Sequence, residues 1–367
     1  MSFLNEPQLI PGEVDYCDLG QQMSKSVYYR CLMAVRVVVC FSGMLLCGSL
    51  LLSKLNSVIL HVHARILMKY HIIISFLLSV NYLWLSIFEI IRYSRDVPAC
   101  EYLLPRWLSF SPHFVNGNLI FCEIFSCLLI TIERLICTIR IRTYENVNHG
   151  KTIIFGLVVM TAVILVSSYF CLARTANWEL KFFFFSFRDK SNLYYAVSYV
   201  FLQFCMDLVT IVICKIVDVV NTRTKEQFVN GTFFLRRNLF HNQLSSKLQI
   251  RENIALSHTL MPIVGVHFLF TSVSVLVIAI AMLTLRNNVF LNIIIAESFS
   301  LFPVYSVAMP TLFYRKHPSL FWKLAEKVCR RKFRRVDVRR QDTEEAFDHH
   351  FKWFDKMLED KQMPSRL

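Results

Sequence analysis

Long apolar stretches recur along this chain and restrict it to folds that cross a membrane. A helix needs about 20 mostly apolar residues to span a bilayer. Seven stretches approach or exceed that length, at residues 31–52, 72–91, 114–138, 152–172, 193–217, 258–284 and 289–313. Overall, 55% of the residues are hydrophobic, which is more than soluble proteins of this size carry. The sequence therefore predicts an all-α membrane protein, a seven-transmembrane helix bundle.

The basic residues predict which side of the membrane each end occupies. Fifteen of the 40 Lys and Arg residues follow Phe313, directly after the last apolar stretch. Cytoplasmic flanks of membrane proteins carry such an excess, so the net charge of +14 does not indicate nucleic-acid binding. We expect the carboxyl terminus in the cytoplasm and, with seven spans, the amino terminus outside the cell, in the plasma membrane. No signal peptide is visible, so the first stretch is expected to be an uncleaved anchor.

These expectations divide the chain into three parts. Residues 1–30 form an extracellular tail, residues 31–313 form the transmembrane domain, and residues 314–367 form a basic cytoplasmic segment. Apolar residues recur at helical spacing near the start of the last part, in "YRKHPSLFWKLAEKVCRRKFRR", with basic residues between them. This pattern predicts a short amphipathic helix on the membrane surface after the last span.

The third stretch is the least apolar, because its segment "LITIERLICTIR" places Glu133 and Arg134 side by side. If this span runs from outside to inside, the pair falls at the cytoplasmic end, where a charge can reach water or a partner. Arg134 could instead extend to the headgroups without any other role. Without this stretch the chain would have six spans.

Ionisable residues inside other spans are functional candidates, because they are costly in hydrocarbon. At about 1.5 Å per residue, four of them fall within roughly 15 Å of the outer face: Arg36, Glu89, Glu123 and Glu297. They predict a ligand cavity for a small cationic or hydrogen-bonding molecule, with Glu123 and Glu297 as the strongest candidates. A structural alternative pairs Arg36 with one of the acids. Asp207 and His267 fall deeper, towards the cytoplasm.

Two motifs carry a resemblance to a known family. "ERLICTIRIRTYE" places Tyr144 and Glu145 shortly after Glu133 and Arg134, and "LSSKLQIREN" precedes the sixth span. The combination of E-R-x9-Y-E with L-S-x-K-x-Q-x-x-E-N resembles the Sra superfamily of nematode chemosensory receptors over residues 30–318. Length and tail are most similar to class Sre, with Srab and Srb as alternatives.

The resemblance implies a G-protein-coupled chemosensory receptor with a small-molecule ligand and a heterotrimeric G protein as partners. It implies that Arg134 is held by Glu133 at rest and is freed to engage the G protein. The coupling residues implied on the cytoplasmic side are Glu133, Arg134, Tyr144, Glu145, Lys247, Arg251, Glu252 and Asn253.

The cysteines depart from the family pattern on the outer side. A cysteine is expected shortly after Cys100, but Trp107, Leu108 and Ser109 stand there. Cys100 could pair with Cys17 or Cys171, since extracellular sites permit disulfides, or it could remain a free thiol. The cysteine and histidine spacings do not match a metal site, and no cofactor is expected.

Other functions find less support in the sequence. It has no Gly-rich phosphate loop and no G-x-S-x-G motif, so we do not expect an enzyme. A small transporter or channel that uses the intramembrane acids as a path is the alternative function. That alternative is weakened by the absence of an internal repeat. A glycosylation sequon at Asn230 falls in a loop expected inside the cell and is interpreted as unused.

Overall fold

The computed structural model describes residues 16–53, 62–139, 150–179, 181–183, 193–229, 243–284 and 288–317. The chain divides into two compact units, Met1–Phe321 and Trp322–Leu367. All described residues belong to the first unit. The second unit, which includes most of the expected amphipathic helix, lies outside the described residues, as does the sequon at Asn230.

The described part of the chain is almost entirely helical. Its α-helices are α1 (Tyr16–Lys25), α2 (Val27–Leu52), α3 (Val62–Tyr93), α4 (Arg106–Ile139), α5 (Gly150–Ser168), α6 (Leu193–Val229), α7 (Gln243–Thr284), α8 (Val289–Ser298) and α9 (Phe302–Lys316). A π-helical turn, Tyr169–Ala173, extends α5, and a 3-10 helix, Ala99–Tyr102, follows α3. Two short strands, β1 (Leu104–Pro105) and β2 (Lys181–Phe182), pair antiparallel.

Six helical segments in the described ranges are long and apolar enough to cross a membrane. They are Val27–Leu52, Val62–Tyr93, Gly150–Ala173, Val197–Arg223, Thr259–Ala281 and Val289–Lys316. The remaining long helix, α4, has 34 residues and contains buried Glu123, Glu133 and Arg134. Because α4 packs against α3 and α6, these polar side chains face protein, where membrane helices place their ionisable groups. The fold is the seven-helix bundle that the apolar stretches predicted.

The helices pack as a ring with one helix outside it. Around the ring, α2 packs on α3, α3 on α4, α4 on α6, and α6 on α7. The ring closes through α9, which packs on both α7 and α2. Helix α5 contacts α3 and α4 from outside and exposes large apolar side chains such as Phe155, Val158 and Val163. That exposed surface suits contact with lipid, while the ring surrounds the polar residues described below.

The seventh span is interrupted, although the sequence predicted a continuous one. Helix α8 ends at Ser298 and α9 begins at Phe302, with Pro303 in its first turn. Proline favours a helix start because it has no N–H to donate. The backbone N–H of Leu301 donates to Ser274 Oγ at 3.3 Å, which satisfies the interrupted backbone inside the protein. The break makes α8 a separate segment above α9.

A small cap that the sequence did not predict covers the end of the bundle where α2 begins, which we label the outer end; it consists of α1, the 3-10 helix and the strands β1 and β2. The tail expected over residues 1–30 contains α1 and the start of α2, whose N-cap Ser26 accepts from the N–H of Tyr29 at 3.2 Å. A disulfide joins Cys17 on α1 to Cys100 in the 3-10 helix, while Cys171 is a free thiol. The cap therefore ties the amino-terminal segment to the connection between α3 and α4.

Candidate functional site

An ion pair crosses the outer half of the bundle between α2 and α8. Arg36 Nη1 lies 2.6 Å from Glu297 Oε2, and its Nη2 donates to the Glu297 backbone carbonyl at 2.5 Å. The side chains keep only 9% and 17% of their exposure. Breaking such a pair leaves a charge in a poorly solvated site, so it fixes α8 against α2.

A second ion pair lies on α3 and connects the bundle to the cap. Arg92 Nη2 donates to both carboxylate oxygens of Glu89, at 2.8 and 2.6 Å, one helical turn apart. Arg92 also donates to the carbonyl of Tyr102 at 3.1 Å and to that of Phe183 at 2.7 Å. Phe183 follows β2 and is fully buried. The Glu89–Arg92 pair therefore holds the cap on the helices.

A small cavity lies between these two ion pairs. Its volume is about 10 Å³, roughly the room that one water molecule needs. It is lined by Tyr29, Met33, Arg36, Leu85, Ser86, Glu89, His113 and Glu297. Three of the four residues expected to form a ligand cavity meet here. Arg36 and Glu297 pair with each other and Glu89 pairs with Arg92, so the charges at the cavity are already satisfied and a larger occupant requires the cavity to widen.

Glu123, the fourth expected residue, lies in a deeper polar cluster instead. Helix α4 begins at Arg106 and not near residue 114, so Glu123 lies about 26 Å along it at 1.5 Å per residue. Its Oε1 accepts a hydrogen bond from Ser75 Oγ on α3, and its Oε2 lies 3.8 Å from His267 Nε2 on α7. His267 Nδ1 lies 3.1 and 3.2 Å from the two oxygens of Asp207 on α6.

Hydrogen bonds on the opposite side of this cluster determine the tautomer of His71. Ser126 Oγ donates to the Glu123 backbone carbonyl at 2.7 Å, so it can only accept from His71 Nδ1, 2.7 Å away. In the neutral ring, His71 Nε2 then accepts from the Tyr305 hydroxyl at 2.9 Å. Both ring nitrogens of His71 therefore have hydrogen-bond partners. Tyr305, on α9, also packs edge-on against the His267 ring with centroids 4.6 Å apart.

Glu133 and Arg134 form a buried ion pair near the inner end of α4. Arg134 Nε and Nη2 each donate to a different carboxylate oxygen of Glu133, in the two-pronged geometry that favours guanidinium–carboxylate pairs. Both residues are buried. Lys247, Arg251, Glu252 and Asn253 lie on α7, but their side chains lie outside the described residues, as do Tyr144 and Glu145.

Neutral hydrogen bonds join the inner ends of the helices. Thr138 Oγ1 on α4 donates to Asn221 Oδ1 on α6 at 3.1 Å, and Asn221 Nδ2 donates to Ser257 Oγ on α7 at 2.9 Å. Thr259 Oγ1 lies 3.4 Å from His317 Nε2 just after α9. Burial lowers the pKa of His317, and the charge of Lys316 lowers it further, so the neutral ring can accept from Thr259.

Sequence reasoning missed Arg92, His71 and Asn221, each of which joins elements in the structure. Arg92 had a usable signal, since it stands three residues after Glu89 on the same helical face. His71 and Asn221 lie just outside the apolar stretches and gave no comparable signal. No group of three or more His, Cys, Asp or Glu side chains in the described ranges is arranged to hold a metal ion.

Comparisons with known proteins agree with this architecture. A family model described as a serpentine type 7TM GPCR receptor class ab chemoreceptor matches residues 14–335. The crystal structure of squid rhodopsin superposes with a TM-score of 0.61 at 14% sequence identity, covering 88% of this chain and 87% of that one. At that identity the likeness concerns the fold alone. A comparison with curated protein sequences gives no significant match.

Proposed function

Because the chain belongs to the serpentine class ab family of G-protein-coupled chemoreceptors, we propose that it binds a small-molecule ligand in the outer half of its helix bundle and signals to a heterotrimeric G protein. Family membership makes it a multi-pass membrane receptor and not an enzyme. It confirms the resemblance to nematode serpentine receptors. The matched class is ab, one of the alternatives to Sre, so the preference for Sre is not confirmed.

The proposed ligand site is the cavity lined by Arg36, Glu89 and Glu297. Side chains of both charges face it, together with Tyr29 and His113, so it suits a small molecule with polar or charged groups. With room for about one water, the cavity must widen when a ligand enters. A ligand that competes for Arg36 or Glu297 would release the contact between α2 and α8.

The interrupted seventh span supports a mechanical connection between this cavity and the helices in the interior of the bundle. Helix α8 carries Glu297, and it is separated from α9 by residues 299–301. In that break, Ser300 Oγ lies 3.3 Å from the Tyr82 hydroxyl on α3, and the backbone N–H of Leu301 donates a hydrogen bond to Ser274 Oγ on α7. A displacement of α8 would therefore act on α3 and α7 directly. A ligand shifts the receptor between arrangements only by its difference in affinity for them.

The proposed coupling site is the inner end of α4, and the buried Glu133–Arg134 pair carries this proposal. A charged pair held in a protein interior costs desolvation free energy, and it can serve as a switch. We propose that Glu133 retains Arg134 at rest and that activation frees the guanidinium for the G protein. The basic start of α7, with Lys247 and Arg251, and the adjoining Tyr144, Glu145, Glu252 and Asn253 are proposed to face the same partner.

The amide of Asn221 is proposed to hold the resting arrangement, since it bridges α4 and α7. Replacing Asn221 with alanine removes both hydrogen bonds and is expected to raise ligand-independent signalling. At about 1 kcal/mol for each lost hydrogen bond, losing both shifts the equilibrium by about 2 kcal/mol, so the active fraction should rise about thirtyfold from a small basal level. Second-messenger output in transfected cells, normalised to surface receptor, measures the change.

Thr222→Ala is the matched control, because Thr222 is the exposed neighbour of Asn221 on the same helix. This substitution removes a polar group at the same depth but leaves the hydrogen bonds of Asn221 to Thr138 and Ser257 intact. The second-messenger output of the control should equal the wild-type value. Basal output from Asn221→Ala at or below the wild-type level would contradict the resting role of Asn221.

We further propose that the receptor lies in the plasma membrane with its amino terminus outside and its tail in the cytoplasm. The Cys17–Cys100 disulfide supports this orientation, because such bonds persist in oxidising compartments. The test uses a Cys31→Ser background, which removes the exposed free thiol of α2. On intact cells, a membrane-impermeant maleimide should label this receptor only after an impermeant reductant has opened the disulfide. Labelling that requires permeabilised cells would place the cap inside.

A further inference from the structure

Two buried polar atoms face each other in the centre of the bundle without hydrogen-bond partners. They are Glu123 Oε2 and His267 Nε2, 3.8 Å apart. Glu123 is 0% exposed and His267 is 1% exposed. A buried polar atom normally has a partner, because an unsatisfied one has lost its hydration without gaining a hydrogen bond. The ligand cavity lies elsewhere, so this pair is unexplained by the proposed function.

The other contacts of His267 and Glu123 leave these two atoms available. Both oxygens of Asp207 lie within reach of His267 Nδ1, so the ring donates Nδ1–H to Asp207 and points Nε2 at Glu123. Glu123 Oε1 is occupied by Ser75. His71, the other nearby imidazole, is satisfied by Ser126 and Tyr305 and does not compete for the gap.

Charge makes the gap unfavourable unless a proton occupies it. With a neutral His267, two ionised acids would bury two negative charges and would set lone pairs of Oε2 and Nε2 against each other. Among the described residues, no Lys or Arg lies within ion-pair distance of Glu123 or Asp207. Arg134 is eleven residues from Glu123 along α4, about 16 Å away. The cluster has to supply its own positive charge.

We propose that Glu123 and His267 form a proton-binding site, in which one exchangeable proton is shared between Glu123 Oε2 and His267 Nε2. On Glu123 the proton makes an O–H that faces a nitrogen lone pair; on His267 it makes an imidazolium that faces a carboxylate. The titratable groups around the site are Cys47 on α2, His71 on α3, Cys127 on α4, Asp207 on α6 and Tyr305 on α9. Asp207 orients the ring as a positioning residue.

The proton links the site to helix packing. The N···O separation of 3.8 Å exceeds the roughly 3.2 Å limit of a hydrogen bond. A proton in the gap therefore favours a closer approach of α7 to α4, and its loss favours their separation. A ligand or partner that moves α7 would change the affinity of the Glu123–His267 site for this proton. By the same linkage, a change of pH would change the packing of α7 against α4. The site does not depend on the identity of any ligand.

Proton linkage in unfolding tests the site without a ligand or a G protein. The full chain is reconstituted in lipid, and its unfolding equilibrium constant is measured by detergent titration between roughly pH 7.5 and pH 9, above the pKa of about 6.5 of a free imidazole. In that range the folded chain should hold one proton that the unfolded chain has lost. Stability then falls as pH rises, and the constant should increase by up to tenfold per pH unit more in the wild type than in Glu123→Gln.

His267→Gln should remove the same pH dependence, and the double variant should remove no more than either single variant, because the proton is shared. Glu101→Gln, at an exposed acid on the outer side, should keep the wild-type dependence. Either single variant carries the test if the other fails to fold. A wild-type slope in Glu123→Gln or His267→Gln overturns the proposal, as do additive losses in the double variant. A stability that responds to sodium replacing choline, and not to pH, also overturns it in favour of a monovalent cation.

Discussion

Replacing Arg134 with alanine is expected to abolish G-protein activation while the receptor still reaches the cell surface. The guanidinium is the group we assign to the G protein, and alanine offers no cation in its place. Glu133 would lose its two-pronged partner, but it lies near the inner end of α4, where a carboxylate can recover water. Second-messenger output and surface receptor are measured in the same transfected cells.

Lys151→Ala provides the control for this experiment. Lys151 is an exposed cation in the first turn of α5, and its loss also removes one positive charge from the receptor. Its signalling should stay near the wild-type level. Wild-type signalling from Arg134→Ala at equal surface expression would remove Arg134 from the coupling site.

Replacing Arg36 with alanine is expected to lower the free energy of unfolding by about 3 kcal/mol, because it leaves Glu297 without its partner in a poorly solvated site. This value is at the low end for a buried pair, since Glu297 keeps 17% of its side-chain exposure. The same change removes a proposed ligand contact. Detergent-induced unfolding of the purified chain measures the first effect, and the response to an agonist found by screening the wild type measures the second.

A double variant separates the two effects of Arg36. Arg36→Met combined with Glu297→Gln removes both charges and leaves no unpaired ion, so most of the lost stability should return. The agonist response should be absent, because both proposed charged contacts are gone. Wild-type stability of Arg36→Ala would contradict the energetic role of the pair. A full agonist response from the double variant would move the ligand site elsewhere.

The sequence predicted the main architecture because apolar length is a direct physical requirement of a bilayer. The seven apolar stretches correspond to seven spanning segments. One of them is α4, whose buried Glu123, Glu133 and Arg134 make it too polar to be identified by a test of apolar composition alone. The structural alternative for Arg36, a pair with one acid, matches its contact with Glu297. Both inferences need only the length of each apolar stretch, the depth of each residue along its helix and the charge of its side chain, all of which can be read from the sequence.

Positions that depend on where a helix begins could not be predicted in the same way. Glu123 was expected near the outer face because its apolar stretch begins near residue 114, but α4 continues outward to Arg106 with a mixed polar sequence. The extra turns place Glu123 with His267 and Asp207. The break at residues 299–301 was missed for a related reason, since the apolar pattern continues across it and the compensating contact comes from Ser274 on another helix.

Nucleotide exchange on purified G proteins tests whether this chain is a receptor that activates a heterotrimeric G protein. Wild type, Asn221→Ala and the double variant Asn221→Ala with Arg134→Ala are reconstituted in lipid with representatives of each Gα class. We predict that Asn221→Ala accelerates GDP–GTP exchange on at least one class above the wild-type rate and that the added Arg134→Ala removes the acceleration. Exchange at the receptor-free rate for every class, with Asn221→Ala folded and inserted, would contradict the account.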